Sequence, residues 1–237
     1  MKLDILAFSA HPDDVEISCG GTIIKQIQLG YSVGIVDLTQ GELGTRGSAK
    51  IRLAESDQAS KLLGLSAREN LKMKDGFFEH SEENKLKIVT AIRKYQPDIV
   101  IANSITDRHP DHERGSKLVS DACFLAGLPK VKTFVDGNNQ KAWRPKTIHH
   151  YIQDYYIKPD FIIDISDVID QKISCIKAFK TQFWDPTSNE PNTPISGEDF
   201  FEFIRARSKE FGRLINTEYG EGFTVEKPLK IVDLVKN

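Results

Sequence analysis

Two short stretches carry most of the chemistry this chain can offer: His11-Pro12-Asp13-Asp14 near the start and His109-Pro110-Asp111-His112 in mid-chain. The chain has only six histidines, and three of them, His11, His109 and His112, fall in these two stretches of matching composition. Imidazole and carboxylate donors without thiolate suit a catalytic zinc that keeps one position open for water; another divalent ion such as iron(II) can take the same donors. Each stretch also carries surplus acid, and together they hold more groups than a three-ligand metal needs. In the first, one aspartate can bind metal while the other remains as a base, and spacing alone leaves either in either role. In the second, one imidazole can bind metal while the other faces substrate. Zinc brings the pKa of a bound water toward about 7, and a neighbouring carboxylate can take its proton as the water attacks a carbonyl. A protonated imidazole, held in its tautomer by a carboxylate, can then stabilise the oxyanion and protonate a leaving amine. Hydrolysis of an amide is the reaction this set suggests.

Residues about a hundred positions apart form one site only if the fold joins them. Leu3–Ala10 reads as a buried strand, Ile17–Leu29 as a helix stopped by Gly30, and Tyr31–Leu38 as a second strand. Helix is predicted again over Ala49–Leu63, a weak strand over Asn70–Lys74, an amphipathic helix over Glu82–Tyr95 ending before Pro97, and a strand over Asp98–Asn103. Strands alternating with such helices imply right-handed βαβ units and an α/β, Rossmann-like, doubly wound and mostly parallel sheet flanked by helices. The pattern continues with a helix near Gly115–Leu125, strands near Thr147–Gln153 and Phe161–Ile165, and helices over Asp167–Phe183 and Glu198–Ile215. The turn-rich segment Trp184–Pro194 reads as a surface loop near the site or at a subunit contact. No linker divides the chain, so one domain over 1–237 is expected. In the common doubly wound order the first and fourth strands are neighbours. The two His-rich loops then lie side by side at the carboxyl ends of the sheet, where open α/β folds bind ligands.

A formal charge of −2 and a pI near 6.3 argue against a nucleic-acid partner. No apolar run approaches the roughly 18 residues of a membrane span, and the start of the chain lacks a signal-peptide pattern. Cys19, Cys123 and Cys175 are far apart and form no CxxC pair, so they read as reduced, buried thiols. A cytoplasmic protein is expected. His80 reads as a turn residue, and His149 and His150 as packing or surface residues of a strand. The glycines of 41–47 lack the GxGxxG spacing of a dinucleotide loop, and Gly20-Gly21 lies inside a helix pattern, where it permits close packing on the sheet.

Ala10-His11-Pro12-Asp13-Asp14-Val15-Glu16 followed by Gly20-Gly21-Thr22 resembles the opening signature of the LmbE-like (PIG-L type) N-acetylglucosaminyl deacetylase family. Glu42, Gly44, Thr45, Arg46 and Gly47, then Arg52 and Glu55, and then His109-Pro110-Asp111-His112 follow in that family's order and spacing. The resemblance implies an LmbE-like fold in which His11, Asp14 and His112 bind zinc and Asp13 is the general base. It further implies that His109 serves the oxyanion and leaving group, with Asp111 orienting it, and that the protein is a homo-oligomer. Arg46 and Arg52 become candidates to grip an anionic aglycone, although Arg52 can instead pair with Glu55 on its helix. Glu42 is placed either to reach sugar hydroxyls or to shape its loop. Asp164-Ile165-Ser166 and Tyr219-Gly220-Glu221-Gly222-Phe223 resemble the bacillithiol-biosynthesis branch, which implies N-acetylglucosaminyl malate as the small-molecule substrate. Another N-acetylated sugar or thiol conjugate, or a non-catalytic sugar-binding protein, are the alternatives.

Overall fold

Strand β1 (Ile5–Ser9) is apolar on both sides, and its alternate residues enter two different cores. Leu6 and Phe8, with Val36 and Leu38 of β2 (Val33–Thr39), pack against α3 (Glu82–Tyr95) and α4 (Pro110–Ala126). Ile5 and Ala7, with Val33 and Ile35, pack against α1 (Asp14–Gln28) and α5 (Ile169–Ile176). A strand covered on both faces needs no polar alternation, which is why it reads as a continuous apolar run. The computed structural model describes residues 1–232.

The remaining elements are α2 (Ala49–Leu63), β3 (Ala67–Met73), β4 (Ile99–Ala102), the small hairpin β5 (Phe134–Val135) and β6 (Asn138–Asn139), β7 (Thr147–Tyr151), β8 (Phe161–Asp164), α6 (Asp199–Leu214) and β9 (Gly220–Val225). Seven strands form one sheet in the order β3-β2-β1-β4-β7-β9-β8. The pairs β3/β2, β2/β1, β1/β4 and β4/β7 are parallel, and β9 runs antiparallel to both of its neighbours. The α/β fold with a mostly parallel sheet and adjacent first and fourth strands is as expected from sequence. Strand β3 begins at Ala67 rather than Asn70 and the β5–β6 hairpin is additional, and three further features differ. Helices α1 and α4 start at Asp14 and Pro110, inside the His-rich stretches themselves, because the motifs supply the helix starts: His109 is the N-cap and Pro110 follows with φ preset. Helix α5 stops at Ile176, well short of Phe183. Strand β9 was not expected, since two glycines in Gly220-Glu221-Gly222 depress strand propensity. Its Gly220 has a packing reason, because a Cβ there would lie 3.0 Å from the Gly212 backbone nitrogen in α6.

Helix α1 is broken at Cys19 (φ −140°, ψ 20°), and the break frees two backbone donors. The Glu221 carboxylate of β9 takes both, Gly21 N–H at 2.9 Å and Thr22 N–H at 2.6 Å, and also accepts from Lys172 Nζ of α5 at 2.7 Å. Gly21 presses on Ile165, where a Cβ would sit only 2.9 Å from two side-chain carbons, so the close packing expected of Gly20-Gly21 falls on the second glycine. Glu221 thus ties the helix carrying Asp14 to the far side of the sheet. Because both charges are buried, Glu221→Gln leaves an uncompensated ammonium, and urea unfolding is expected to show a loss of about 3–5 kcal/mol. A loss below about 1 kcal/mol would show that the pair does not anchor the helix. The three cysteines are free and buried. Among the described residues no helix is long and apolar enough to cross a membrane.

Candidate active site and metal centre

The turns at the carboxyl ends of β1, β2, β3, β4 and β7 line one side of a cleft of about 380 Å³, and Phe200, Ile204 and Phe211 of α6 form an apolar wall opposite. That volume lies within the range of small-molecule sites. The first motif enters it directly from β1. The second is reached through the loop 103–108 after β4 and opens α4.

His11, Asp14 and His112 converge. Asp14 Oδ2 is tied down by His11 N–H at 2.9 Å and Asn103 Nδ2 at 3.0 Å, while Oδ1 faces His112 Nε2 at 3.2 Å. His11 Nδ1 lies 3.7 Å from Asp14 Oδ2. The outer nitrogen of each imidazole meets a carboxylate: His11 Nε2 contacts Asp75 at 3.0 Å and Asp111 at 3.4 Å, and His112 Nδ1 bonds Asp107. Metal-binding imidazoles commonly hand their second N–H to a carboxylate, which fixes ring and tautomer. Both rings meet that requirement. Five carboxylates, Asp13, Asp14, Asp75, Asp107 and Asp111, gather here with the guanidinium groups of Arg52 and Arg114 beside them. A divalent cation between neutral imidazoles suits such an excess of negative charge, so the donor set fits zinc or a similar ion. His109 also brings a ring nitrogen near those of His11 and His112, and the oxygens of Asp75 and Asp111 approach His11. These two carboxylates serve the outer edge of His11, away from Asp14. Without a metal the imidazoles become the counter-cations. Burial opposes their charge, yet Asp14 and the Asp107 bond lift His112 to about 9, and Asp111, Asp14 and Asp75 hold His11 well above the usual imidazole range.

Asp13 sits between His11 and Asp14 in sequence, but its carboxylate turns toward α2 and accepts from Arg52 Nη2 at 2.6 Å. Its backbone is left-handed (φ 120°), a conformation uncommon outside glycine and tolerated by Asp and Asn better than by most residues. Burial raises its carboxyl to about 6 despite the guanidinium beside it. His109 lies 4.6 Å from the His11 ring and 5.1 Å from the His112 ring, centroid to centroid. Its Nδ1 accepts from Asp111 N–H at 3.2 Å, which leaves the proton on Nε2. Burial and charge on the two neighbouring imidazoles depress its pKa, which favours the neutral ring with its N–H on Nε2.

The Asp111 carboxylate does not orient His109. It binds Arg114 at 2.6 Å and Gly76 N–H at 2.8 Å and lies against His11; only its backbone holds the His109 ring. Arg46 points away from the cleft, donating to the Phe183 carbonyl at 3.3 Å and Ser188 at 2.6 Å, so it braces the 184–194 segment. Arg52 does line the cleft, but neither as a free anion clamp nor paired with Glu55. It holds Asp13, and Glu55 instead accepts from Thr181 N–H and hydroxyl at 2.8 and 2.7 Å. A Cβ on Gly41 (φ 64°) would overlap the Arg52 guanidinium, which explains a glycine there. Glu42 shapes its loop, since its Oε1 accepts from Asp75 N–H at 2.8 Å while Asp75 Oδ2 accepts from Leu43 N–H at 2.9 Å. His80 pairs with Asp121, and His150 is buried against Ser116 and Glu226. Asp75, Asp107, Asn103 and Gln153 were not expected from sequence. Asp75 was detectable as the acid of Asp75-Gly76 just past a strand end, and Asp107 as the acid five residues before His112.

A family profile described as GlcNAc-PI de-N-acetylase, PIG-L, matches residues 6–123. The chain is 34% identical to the conserved protein TT1542 from Thermus thermophilus, whose crystal structure it matches with a TM-score of 0.87 over 98% of each chain. It is 30% identical to the N,N'-diacetylchitobiose deacetylase from Pyrococcus horikoshii, solved with its inhibitor MPG (TM-score 0.78, 93% of this chain and 82% of that one). It is 29% identical to the diacetylchitobiose deacetylase of Thermococcus kodakarensis over 92% of this chain and 81% of that protein. A Bacillus anthracis protein named "Probable N-acetyl-alpha-D-glucosaminyl L-malate deacetylase 2" is 25% identical over 76% of this chain and 81% of its own length. Fold and site define an α/β protein with a buried His/Asp centre at the carboxyl ends of a parallel sheet. The chain belongs to the PIG-L (LmbE-like) deacetylase family.

Proposed function

We propose that this chain is a single-domain, metal-dependent amidohydrolase that removes acetate from the 2-acetamido group of an N-acetylglucosaminide. The observation that supports the reading is the approach of His11 and His112 to Asp14, each ring meeting a carboxylate on its other nitrogen, with the buried Asp13 carboxylate and the His109 ring beside them. His11, Asp14 and His112 would hold the ion, which, when bound, supplies Lewis-acid polarisation and an acidified water. Asp13, raised to about 6, is matched to take a proton near neutrality and return it to the leaving amine. Arg52 fixes that carboxylate and keeps it ionised at pH 7. His109 offers Nε2–H to the developing oxyanion without adding a charge.

Two substrate readings follow. N-acetylglucosaminyl malate, in bacillithiol biosynthesis in the cytoplasm, has the support of the Bacillus relative's name and of the Tyr219–Phe223 segment. A second N-acetyl sugar such as N,N'-diacetylchitobiose is favoured by the more similar relatives, and by the engagement of Arg46 and Arg52 elsewhere, which removes the arginines expected to grip malate. The test is free-amine release from both compounds by zinc-loaded and by chelated protein. Stoichiometric zinc with no amine released from any N-acetyl sugar would replace the enzyme with a binding protein. A homo-oligomer with the 184–197 segment at a subunit contact belongs to the same proposal, and sedimentation velocity checks it.

A further inference from the structure

Gln153 follows β7 on the cleft wall and has no part in the chemistry above. Its side-chain oxygen is committed twice, accepting from Asn103 Nδ2 at 3.0 Å and from Ser104 N–H at 3.3 Å. Its backbone carbonyl accepts from Arg207 Nη1 at 3.0 Å, and Arg207 Nη2 reaches the Asp154 carbonyl at 3.0 Å, so main chain and side chain are both held. An amide whose oxygen is turned toward two donors presents its NH₂ group the other way. That NH₂ faces His112, 3.5 Å from Nε2, which is already directed at Asp14 Oδ1 at 3.2 Å. Among the described residues the one partner of the amide nitrogen is that Nε2, at the long limit of a hydrogen bond, so the N–H groups are weakly engaged and stand beside the edge of His112 that faces Asp14. Asn103 sets this arrangement and Asp14 together, because the same Nδ2 donates to Asp14 Oδ2 at 3.0 Å.

We propose that Gln153 is a substrate-orienting residue whose side-chain N–H donates to an acceptor oxygen at the acetamide end of the bound N-acetyl sugar. This rests on the deacetylase reading for the identity of the ligand, but not for the geometry. An uncharged donor suits the position, since it holds an oxygen without repelling a metal ion close by.

Two substitutions separate donation from mere support. Gln153→Leu removes both the oxygen and the N–H groups; Gln153→Glu keeps an oxygen for Asn103 and Ser104, removes the donor and puts a carboxylate oxygen beside His112 in its place. Titration calorimetry of N-acetylglucosamine into zinc-loaded protein carrying Asp13→Asn, which reports binding without turnover, is expected to show about tenfold weaker affinity with either change. Zinc content is read beside affinity in both variants, and weaker sugar binding at full zinc occupancy in both assigns the loss to the missing donor rather than to the metal. In otherwise wild-type protein both variants are expected to lower kcat/KM for N,N'-diacetylchitobiose by about tenfold or more. Unchanged affinity and turnover in Gln153→Glu would overturn the proposal, since support alone survives that change. Failure of N-acetylglucosamine to bind the parent would overturn it as well. Binding that depends on Gln153 in a protein that hydrolyses no N-acetyl sugar would uphold this assignment and overturn the deacetylase reading instead.

Discussion

Asp13→Asn is expected to retain zinc and fold while kcat falls by about 10²- to 10⁴-fold, the range for removal of a positioned general base. The substitution is mild in every respect but one. Asn tolerates the left-handed backbone at this position (φ 120°) and still accepts from Arg52 Nη2, so the cleft wall keeps its shape. What disappears is the ability to hold a proton near neutrality. The Asp13 carboxyl titrates at about 6, so kcat/KM of the wild type should rise with pH through that region, the ionised form being the active one. Arg52→Met removes a guanidinium that lowers this pKa, so the acid limb of the profile should move to higher pH. Wild-type turnover in Asp13→Asn with full zinc occupancy would remove Asp13 from the chemistry. Zinc lost from that variant would instead make Asp13 a ligand, exchanging its role with Asp14.

The adjacency of β1 and β4 followed from strand alternation, and with it the meeting of His11 and His112 across the sheet. That inference needed only periodicity and the connection rules of parallel sheets. Partner choice among charged groups was not legible, because it depends on how far a side chain reaches in three dimensions. Arg52 and Glu55 are three apart on one helix and were candidates for each other; the structure sends Arg52 toward β1 and Glu55 toward Thr181. Asp111 adjoins His109's helix turn, yet its carboxylate crosses to His11 and Gly76. The acids behind the imidazoles, Asp75 and Asp107, lie on turns with no motif of their own. Only the closing of strand ends around one cleft gives them a function. Strand β9 is not legible for a related reason: its glycines answer to the close approach of α6, a tertiary constraint that local propensity does not contain.

His112→Ala is expected to abolish stoichiometric zinc binding, and the pH behaviour of the remaining protein identifies the proton involved. In the metal-free chain His112 titrates at about 9, above the ordinary imidazole value near 6.5 expected when unfolded. Its stabilising contribution is therefore fully present below about 6.5 and is lost as pH rises through 9. Chelated wild type should melt at progressively lower temperature across that window. Zinc uptake must displace the same proton, so affinity should climb by about tenfold per pH unit for this group and level off above 9. His112→Ala removes that proton and leaves the one on His11, so any residual zinc affinity should show a slope reduced by one. The substitution also leaves Asp14 and Asp107 on either side of a buried gap without their shared counter-cation. The chelated variant should accordingly lose about 3–5 kcal/mol against wild type at pH 6, and much less at pH 10, where wild type has already surrendered the charge. A competition titration with a chelator across pH, alongside thermal melts, measures both slopes. Stoichiometric zinc in His112→Ala would take His112 out of the ligand set and pass its place to His109, the other imidazole of the same motif within reach of His11.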